Sequence, residues 1–189
     1  MLINDLTNPF YAELAVGIER VFQSAGYVPL IANTAESVIR QAEVLKSIRE
    51  QGVAGLIISA ARGTPAAAIR DFTDAGIPVV LAMRRVAGAR AAIVVPDNRR
   101  GARQAVEHLA GLGHRRIAFA GGFTDTLVHA ERIAGYRDAL AAAGLAADDA
   151  LVIEVPPNRD GGIAAVPRCL ALGDPPTAVM CFNDAVGFG

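Results

Sequence analysis

Tryptophan is absent from this 189-residue sequence, and aromatic residues make up only 5% of it, so the adjacent pair Phe10 and Tyr11 stands out. Cysteine occurs twice, at Cys169 and Cys181, without metal-ligand spacing and without a neighbouring histidine. This usage predicts two buried free thiols in a reducing compartment, rather than a disulfide framework or a zinc site. No apolar run reaches 18 residues, so no transmembrane helix is expected.

The sequence also lacks a recognisable targeting signal and a large net charge. The N-terminal residues show no basic segment followed by an apolar stretch, so we expect no signal peptide and a cytoplasmic protein. The net charge is −1, which does not indicate a nucleic-acid or membrane surface. Arginines do cluster between Arg84 and Arg103, and a solvated loop and helix face is the simplest interpretation of them.

Catalytic motifs are also missing. The sequence contains no G-x-S-x-G elbow, no phosphate-binding loop and no G-x-G-x-x-G fingerprint. The three histidines, His108, His114 and His129, are scattered and have no evident base or metal role. We therefore predict no catalytic residue, no metal site and no cofactor.

What the sequence does contain is a regular alternation of short apolar runs with helical periodicity. The apolar runs predict strands at 1–3, 27–32, 53–59, 77–82, 91–95, 116–120, 151–155 and 177–182. Helical spacing predicts helices near 10–25, 36–50, 64–75, 98–111, 128–143 and 160–172. Strands that are apolar throughout indicate burial on both faces, so we predict an α/β fold with doubly wound parallel sheets. A glycine-rich break between Leu109 and Arg116 predicts two units, 1–113 and 114–189.

Polar side chains follow the predicted strands. In parallel sheets, ligands bind beyond the carboxyl ends of the strands. The candidate residues at these ends include Asn4, Asn8, Phe10, Tyr11, Ser59, Arg84, Asp97, Asn98, Asn158, Asn183 and Asp184. Amides, hydroxyls and carboxylates bind ligand hydroxyls, and aromatic rings stack on sugar or base rings. This combination indicates a site for a sugar or a nucleoside-like small molecule.

Helix capping is the alternative role for some of these residues. Asp97, Asn158 and Asn183 each precede a predicted helix, where a short polar side chain can accept a hydrogen bond from the first turn. Both roles can coexist in one residue.

The order of motifs resembles the effector-binding region of the LacI/GalR family of bacterial repressors. The matching segments are DLTNPFYAEL, GYVPLIANT, VAGLIIS, AGIPVVL, VVPDNRRGARQAVEHLAGLGHRRIAFAGG, ERIAGYRDAL and PTAVMCFND. The resemblance implies a type I periplasmic-binding-protein-like fold, with two α/β subdomains and the effector in the cleft between them. It also implies that this chain is incomplete at both ends and that its second subdomain is truncated.

The resemblance also assigns residues to the effector site. It implies effector contacts for Asn8, Phe10, Tyr11, Ser59, Asp97, Arg132, Asn183 and Asp184. Arg132 enters only on this ground, as the arginine that reaches ligand hydroxyls or a carboxylate. The sequence departs from the family at Met83, where an aspartate is common, and at Ala130, where many members carry a second arginine.

The expected function is that of an effector-binding and sensing domain of a LacI-type DNA-binding transcriptional regulator. The resemblance implies a homodimer that contacts DNA only through a helix-turn-helix absent from this chain, and it implies no enzyme activity and no membrane association. A sugar-binding protein of a transport system is the alternative, and the missing signal peptide weighs against it. An α/β enzyme would need a nucleophile–base pair or a metal cluster.

Overall fold

Two compact units make up the protein in a computed structural model that describes Met1–Gly189. The first unit comprises Met1–Pro96 and the second Asp97–Gly189. Both are built from parallel strands and helices, so the predicted fold class is confirmed. No helix of the chain combines the length and the apolar character that crossing a membrane requires.

The first unit is a five-stranded parallel sheet in the order β2-β1-β3-β4-β5. Its strands are β1 (Leu2–Ile3), β2 (Ala32–Asn33), β3 (Leu56–Ile58), β4 (Val79–Ala82) and β5 (Ala92–Val94). Its helices are α1 (Pro9–Ser24), α2 (Val38–Glu50) and α3 (Ala66–Thr73). Every predicted strand and helix of this half of the chain is present in the structure.

The second strand is shorter than its sequence predicts. The apolar run at 27–32 contributes only its last residue to β2, and the preceding residues lie outside the ladder. Pro29 has no backbone N–H to donate to a ladder, and Val28 is 85% exposed, so this segment gains little from joining the sheet.

The core of the first unit lies where α2 and α3 cover the sheet. Leu45 of α2 and Phe72 of α3 pack with Leu56, Ile58 and Leu81 from the central strands. Burying an aliphatic or aromatic side chain of this kind stabilises a fold by about 1.5–3 kcal/mol. This packing fixes the carboxyl ends of β1 to β4 along one edge of the sheet.

The second unit is built on a three-stranded parallel sheet in the order β7-β6-β8. Its strands are β6 (Ile117–Ala120), β7 (Val152–Ile153) and β8 (Ala178–Cys181). Its helices are α4 (Asn98–Gly111), α5 (Leu127–Ala142), α6 (Arg159–Leu170) and α7 (Asp184–Phe188), with a 3-10 turn at Asp149–Leu151.

Strand β6 is covered by helices on both faces, which is why its residues are all apolar. Ile117 and Phe119 pack on one side with α4 and α5, whereas Ala118 and Ala120 pack on the other side with α6. The hydroxyl of buried Tyr136 donates to the Ile117 carbonyl at 2.8 Å, and burial raises the pKa of Tyr136 to about 12. All four strand residues are therefore buried, as the prediction of a doubly covered strand requires.

The division between the units falls earlier than the predicted boundary at residues 113 and 114. It lies between Pro96 and Asp97, so α4 belongs to the second unit. Ala102 and Val106 of α4 are part of the core formed by Ile133 and Phe119. Glycine punctuation marks the end of a helix, but the packing of its apolar face decides which unit the helix joins.

The two cysteines are free thiols, as the sequence predicts. Cys169 is buried in α6 and Cys181 is half-buried at the end of β8. Burial raises the pKa of both thiols, which keeps them protonated and unreactive near neutral pH.

Candidate functional site

Polar side chains converge at the carboxyl ends of the strands in the first unit. Asn4 follows β1, Glu36 follows β2, Ser59 follows β3 and Arg84 follows β4. Because all these strands are parallel, their carboxyl ends lie at one edge of the sheet. The four side chains form one continuous hydrogen-bonded chain.

An ion pair between Glu36 and Arg84 anchors this chain. The Arg84 guanidinium donates from Nη2 to Glu36 Oε1 at 2.9 Å and from Nη1 to Oε2 at 3.0 Å. The Arg62 amide also donates to Oε2, at 3.1 Å. Burial by itself would raise the pKa of Glu36, but the hydrogen bonds and charge of Arg84, with the donors of Asn4 and Arg62, lower it overall. The carboxylate is therefore held in its ionised form.

Strained backbone conformations occur beside this ion pair. The three non-glycine residues with positive φ are Ala35 at 49°, Glu36 at 56° and Met83 at 65°. Residues in the left-handed region are held there only where surrounding contacts compensate the strain, which is typical of ligand sites. Met83 stands where the LacI-like pattern often has aspartate, a residue that tolerates this region better.

Asn4 and Ser59 connect the ion pair to Tyr11. The Asn4 Nδ2 group donates to Glu36 Oε1, and Asn4 Oδ1 accepts from Ser59 Oγ at 2.9 Å. Both residues are 2% exposed. Ser59 Oγ lies 3.5 Å from the Tyr11 hydroxyl, so the chain runs from Arg84 through Glu36, Asn4 and Ser59 to Tyr11.

The predicted aromatic pair stands beside this chain. Phe10 and Tyr11 meet edge to face with ring centroids 5.3 Å apart, and Phe10 is 45% exposed. Asn8 caps α1 by accepting from the Phe10 amide at 3.1 Å. The structure thus brings Tyr11 and Ser59 together, while Asn8 has a structural role that accounts for its position.

Acid titration of the Glu36 carboxylate gives a testable prediction. Because its pKa is lowered in the folded state, its contribution to stability is complete above the unfolded-state pKa of about 4.3. That contribution is lost as the pH falls through the folded-state pKa. Urea unfolding at neutral and at acid pH should therefore show that Glu36→Gln and the wild-type protein differ in stability at pH 7 and converge in acid. A constant difference at all pH values would contradict the assignment.

A second polar network occupies the second unit. Arg132 Nε donates to Asn98 Oδ1 at 3.0 Å, and Asn98 Nδ2 donates to Glu131 Oε2 at 2.8 Å. The Arg132 Nη1 group donates to the Phe182 carbonyl, and its guanidinium carbon lies 4.5 Å from the centre of the Phe182 ring. Asn98 is buried, so the network fixes the fork of Arg132 between α4, α5 and the end of β8.

Residues after the end of β6 pack closely against the ring of Phe182. His129 stacks on Phe182 with ring centroids 6.4 Å apart, and burial lowers the pKa of His129, so its ring is neutral near neutral pH. Gly122 has a φ of 99°, and a β-carbon there would lie 2.6 Å from His129 Cδ2 and 2.7 Å from Phe182 Cδ2. The ring of Phe182 is thus held between His129 and Arg132.

The remaining predicted residues of the second unit lie at helix starts. Asp97 caps α4 by accepting from the Arg100 amide at 3.0 Å. Asn183 caps α7 by accepting from the Val186 amide at 3.0 Å, and it also donates to the Pro157 carbonyl. Asn158 caps α6, and Asp184 is exposed in the first turn of α7. The capping alternative is confirmed for Asp97, Asn158 and Asn183, and their contact with an effector stays a prediction.

Removal of the α4 cap should be measurable. The Asp97→Ala variant leaves the Arg100 amide without its acceptor, so the unfolding free energy should fall by about 0.5–2 kcal/mol. Chemical denaturation measures this loss, and Asp184→Ala is the control because Asp184 caps no helix. Equal stability of the wild-type and Asp97→Ala proteins would mean that the cap contributes nothing.

A surface groove in the first unit does not suit a polar ligand. Its lining is entirely apolar and consists of Leu14, Gly17, Ile18, Val21, Phe22 and Ile57. It is formed by α1 and β3 and shares no residue with the hydrogen-bonded chain. The converging polar groups, rather than this groove, define the candidate site.

Sequence reasoning missed several members of the two networks. Glu36, Glu131 and Phe182 were not assigned to the site, although Glu131 is adjacent to Arg132 and Phe182 is adjacent to Asn183. Their position at strand or helix ends was a usable signal. Nothing in the sequence, however, pairs residues that are 48 positions apart, as Glu36 and Arg84 are.

Parallel α/β units with polar networks at the carboxyl ends of their strands define a class of small-molecule-binding proteins. The family described as periplasmic binding proteins and sugar binding domain of LacI family matches residues 1–189. The chain belongs to this family, and the resemblance identified from the sequence is confirmed.

Curated relatives of the chain are transcriptional regulators. The maltose regulon regulatory protein MalI of Escherichia coli is 30% identical over 189 residues, which cover 100% of this chain and 55% of the relative. Catabolite control protein A of Priestia megaterium is 30% identical over 190 residues, which cover 100% of this chain and 57% of the relative. The chain thus spans little more than half the length of these relatives.

Solved structures show the same fold with ligands. The Cra dual regulator of Pseudomonas putida in complex with fructose 1-phosphate has a TM-score of 0.87 and 25% identity, covering 100% of this chain and 69% of its own. The CelR–cellobiose complex has a TM-score of 0.81 and 31% identity, with coverages of 98% and 58%. A LacI family regulator of Enterococcus faecium with bound ribose has a TM-score of 0.83 and 26% identity, with coverages of 99% and 67%.

Proposed function

We propose that this chain senses a sugar or a nucleoside-like effector for a LacI-type transcriptional regulator. The observation that carries the proposal is the family match over residues 1–189, together with two polar networks at the strand ends. The similar structures with ribose, cellobiose and fructose 1-phosphate support a ligand of this class. Hydroxyl-rich ligands need the amide, hydroxyl and guanidinium groups that these networks hold.

The proposed effector site consists of the eight residues assigned from the sequence, seven as direct contacts and Ser59 as a residue that positions Tyr11. They are Asn8, Phe10, Tyr11 and Ser59 in the first unit and Asp97, Arg132, Asn183 and Asp184 in the second. Tyr11 and half-exposed Phe10 supply an edge-to-face aromatic pair, and Arg132 supplies a fork that is already oriented by Asn98. Ser59 is deeply buried, so its contribution is to orient Tyr11.

The proposed regulator acts in the cytoplasm as a homodimer without enzymatic activity. It reads DNA through a helix-turn-helix that is not part of these 189 residues. Effector binding then changes operator affinity by a coupling free energy that is typically about 1–3 kcal/mol. The regulatory function of the named relatives supports this proposal.

A ligand screen on the gene product that contains this chain tests the proposal. A binding sugar or nucleoside at 100 times its Kd should stabilise the folded state by about 2.7 kcal/mol and raise the Tm. Isothermal calorimetry on each hit then gives stoichiometry and Kd. A folded protein whose Tm no sugar or nucleoside raises would contradict the proposed effector class.

A further inference from the structure

The hydrogen-bonded chain of the first unit has a fixed direction. Glu36 is ionised and can only accept, because the pair with Arg84 and the Arg62 amide hold it in that form. Its acceptor positions are filled, two on each oxygen, by Arg84, Asn4 and Arg62. A carboxylate has about four such positions, so Glu36 serves the protein and not a ligand.

The ionised Glu36 determines the orientation of the Asn4 side-chain amide. An amide nitrogen is the only group with which Asn4 can satisfy the carboxylate, so Nδ2 faces Glu36 and Oδ1 faces Ser59. The Ser59 hydroxyl has a single hydrogen, and Asn4 Oδ1, at 2.9 Å, takes it. Ser59 Oγ therefore faces the Tyr11 hydroxyl, at 3.5 Å, with its lone pairs.

This order leaves one role for the phenol of Tyr11. Because the single hydrogen of Ser59 is given to Asn4 at 2.9 Å, the longer 3.5 Å contact leaves the Tyr11 hydroxyl only the role of donor to Ser59 Oγ, and its own lone pairs then face away from the hydrogen-bonded chain. We propose that the Arg84–Glu36–Asn4–Ser59 chain fixes Tyr11 as a hydrogen-bond acceptor and so selects effectors that offer a hydroxyl group, rather than an anionic group, at this point. The inference rests on the proposed function, and Glu36 and Asn4 act in it as positioning residues.

The strained backbone of the first unit supports this role for the ion pair. Glu36 itself and Met83, the residue before Arg84, have positive φ, so both partners are presented from strained loops. Glu36 and Arg84 side chains are 26% and 19% exposed, which separates them from a solvated surface pair. The ion pair of Glu36 and Arg84 thus joins the loops after β2 and β4, and it sets the donor-to-acceptor direction of the hydrogen-bonded chain.

Glu36→Gln should reverse this direction. The new amide nitrogen is best placed at the Oε1 position. That position faces one fixed donor, Arg84 Nη2, and the Asn4 amide, which can rotate, whereas the Oε2 position faces two donors, the Arg62 amide and Arg84 Nη1. In the Glu36→Gln variant the Asn4 side-chain amide would then rotate, so that its oxygen accepts from the new amide nitrogen and its nitrogen donates to Ser59. Ser59 would donate to Tyr11, and the Tyr11 hydrogen would become available to an effector.

Carbon-13 labelling of the tyrosine ζ position tests the chain in the free protein. Only three tyrosines are present, so Tyr11→Phe assigns the Tyr11 resonance in the NMR spectrum. Glu36→Gln should shift this resonance, whereas Glu107→Gln, which alters the exposed pair with Arg103, should not. In a Ser59→Ala background the same Glu36→Gln change should produce no shift.

Two results would overturn the inference. One is an unchanged Tyr11 resonance in Glu36→Gln, and the other is an equal shift with and without the Ser59 hydroxyl. If Glu36→Gln does not fold, Ser59→Ala alone decides, because it removes the acceptor of Tyr11 without changing a charge. An unchanged Tyr11 resonance in the Ser59→Ala variant would reject the proposed hydrogen-bonded chain.

Calorimetry with D-ribose, cellobiose and D-fructose 1-phosphate tests selectivity in the gene product. Tyr11→Phe should weaken a neutral sugar that binds the wild-type protein by roughly threefold to tenfold, as the loss of one hydrogen bond requires. Unchanged affinity would reject the acceptor role and leave the proposed function standing. If none of these probes binds, the proposed ligand class is in question, while the NMR comparison still decides on the chain.

Discussion

The Gly135→Ala variant is expected to lose about 3 kcal/mol of unfolding free energy, because the crossing of α4 and α5 has no room for a β-carbon. A β-carbon at Gly135 would lie 2.0 Å from the Arg99 carbonyl oxygen and 3.0 Å from the Ala102 β-carbon. The first of these obstacles is backbone, so the helices would have to separate. Separation would loosen Val106 and Ile133, which belong to the core between these helices and the sheet.

Gly101→Ala is the matched control for this variant. Gly101 lies in α4, and a β-carbon there would meet nothing within 4 Å. Replacing a glycine in a helix by alanine should then stabilise the protein by about 1 kcal/mol. Urea unfolding followed by far-UV circular dichroism compares the two variants. If Gly135→Ala and Gly101→Ala have the same effect, the close approach of α4 and α5 is refuted.

The Arg132→Ala variant should abolish effector binding at ordinary ligand concentrations. Truncating one partner of a hydrogen-bonded charged contact costs about 2–5 kcal/mol, and 2 kcal/mol corresponds to a loss of roughly 30-fold in affinity. The fork of Arg132 is oriented before binding by Asn98 and by the carbonyl and ring of Phe182. Preorganisation of this kind lowers the entropy cost of ordering the side chain when the ligand binds.

Arg137→Ala serves as the control on the same helix. Arg137 is exposed and pairs with the exposed Asp149, so its removal should change neither affinity nor stability by more than a few tenths of a kcal/mol. Calorimetry with the effector found by screening gives the two Kd values, and urea unfolding shows that both variants fold. A folded Arg132→Ala protein with wild-type affinity would remove Arg132 from the proposed site.

Sequence patterns located the secondary structure because their signals are local. An apolar run such as Ile117–Ala120 needs cover on both faces, and a helix such as Pro9–Ser24 shows its apolar residues at helical spacing. These patterns follow from the geometry of strands and helices, so all predicted elements are present. Family resemblance then assigned Arg132 to the effector site, a prediction that periodicity by itself did not make.

Local signals could not determine the limits of elements or units. Pro29 lies inside an apolar run that predicts a strand, yet the ladder begins only at Ala32. The end of α4 is marked by glycine, but the burial of Ala102 and Val106 assigns that helix to the second unit. In both cases the outcome depends on partners that lie elsewhere in the chain.

By itself the sequence determined the α/β class, the order of the elements and the family, because periodicity and motif order are properties of neighbouring residues. Only the tertiary structure decided which side chains act together. Glu36 meets Arg84 across 48 residues, and Asn4 meets Ser59 across 55. Parallel strands bring such residues to one edge of a sheet, and hydrogen bonding then fixes their direction, which no local pattern encodes.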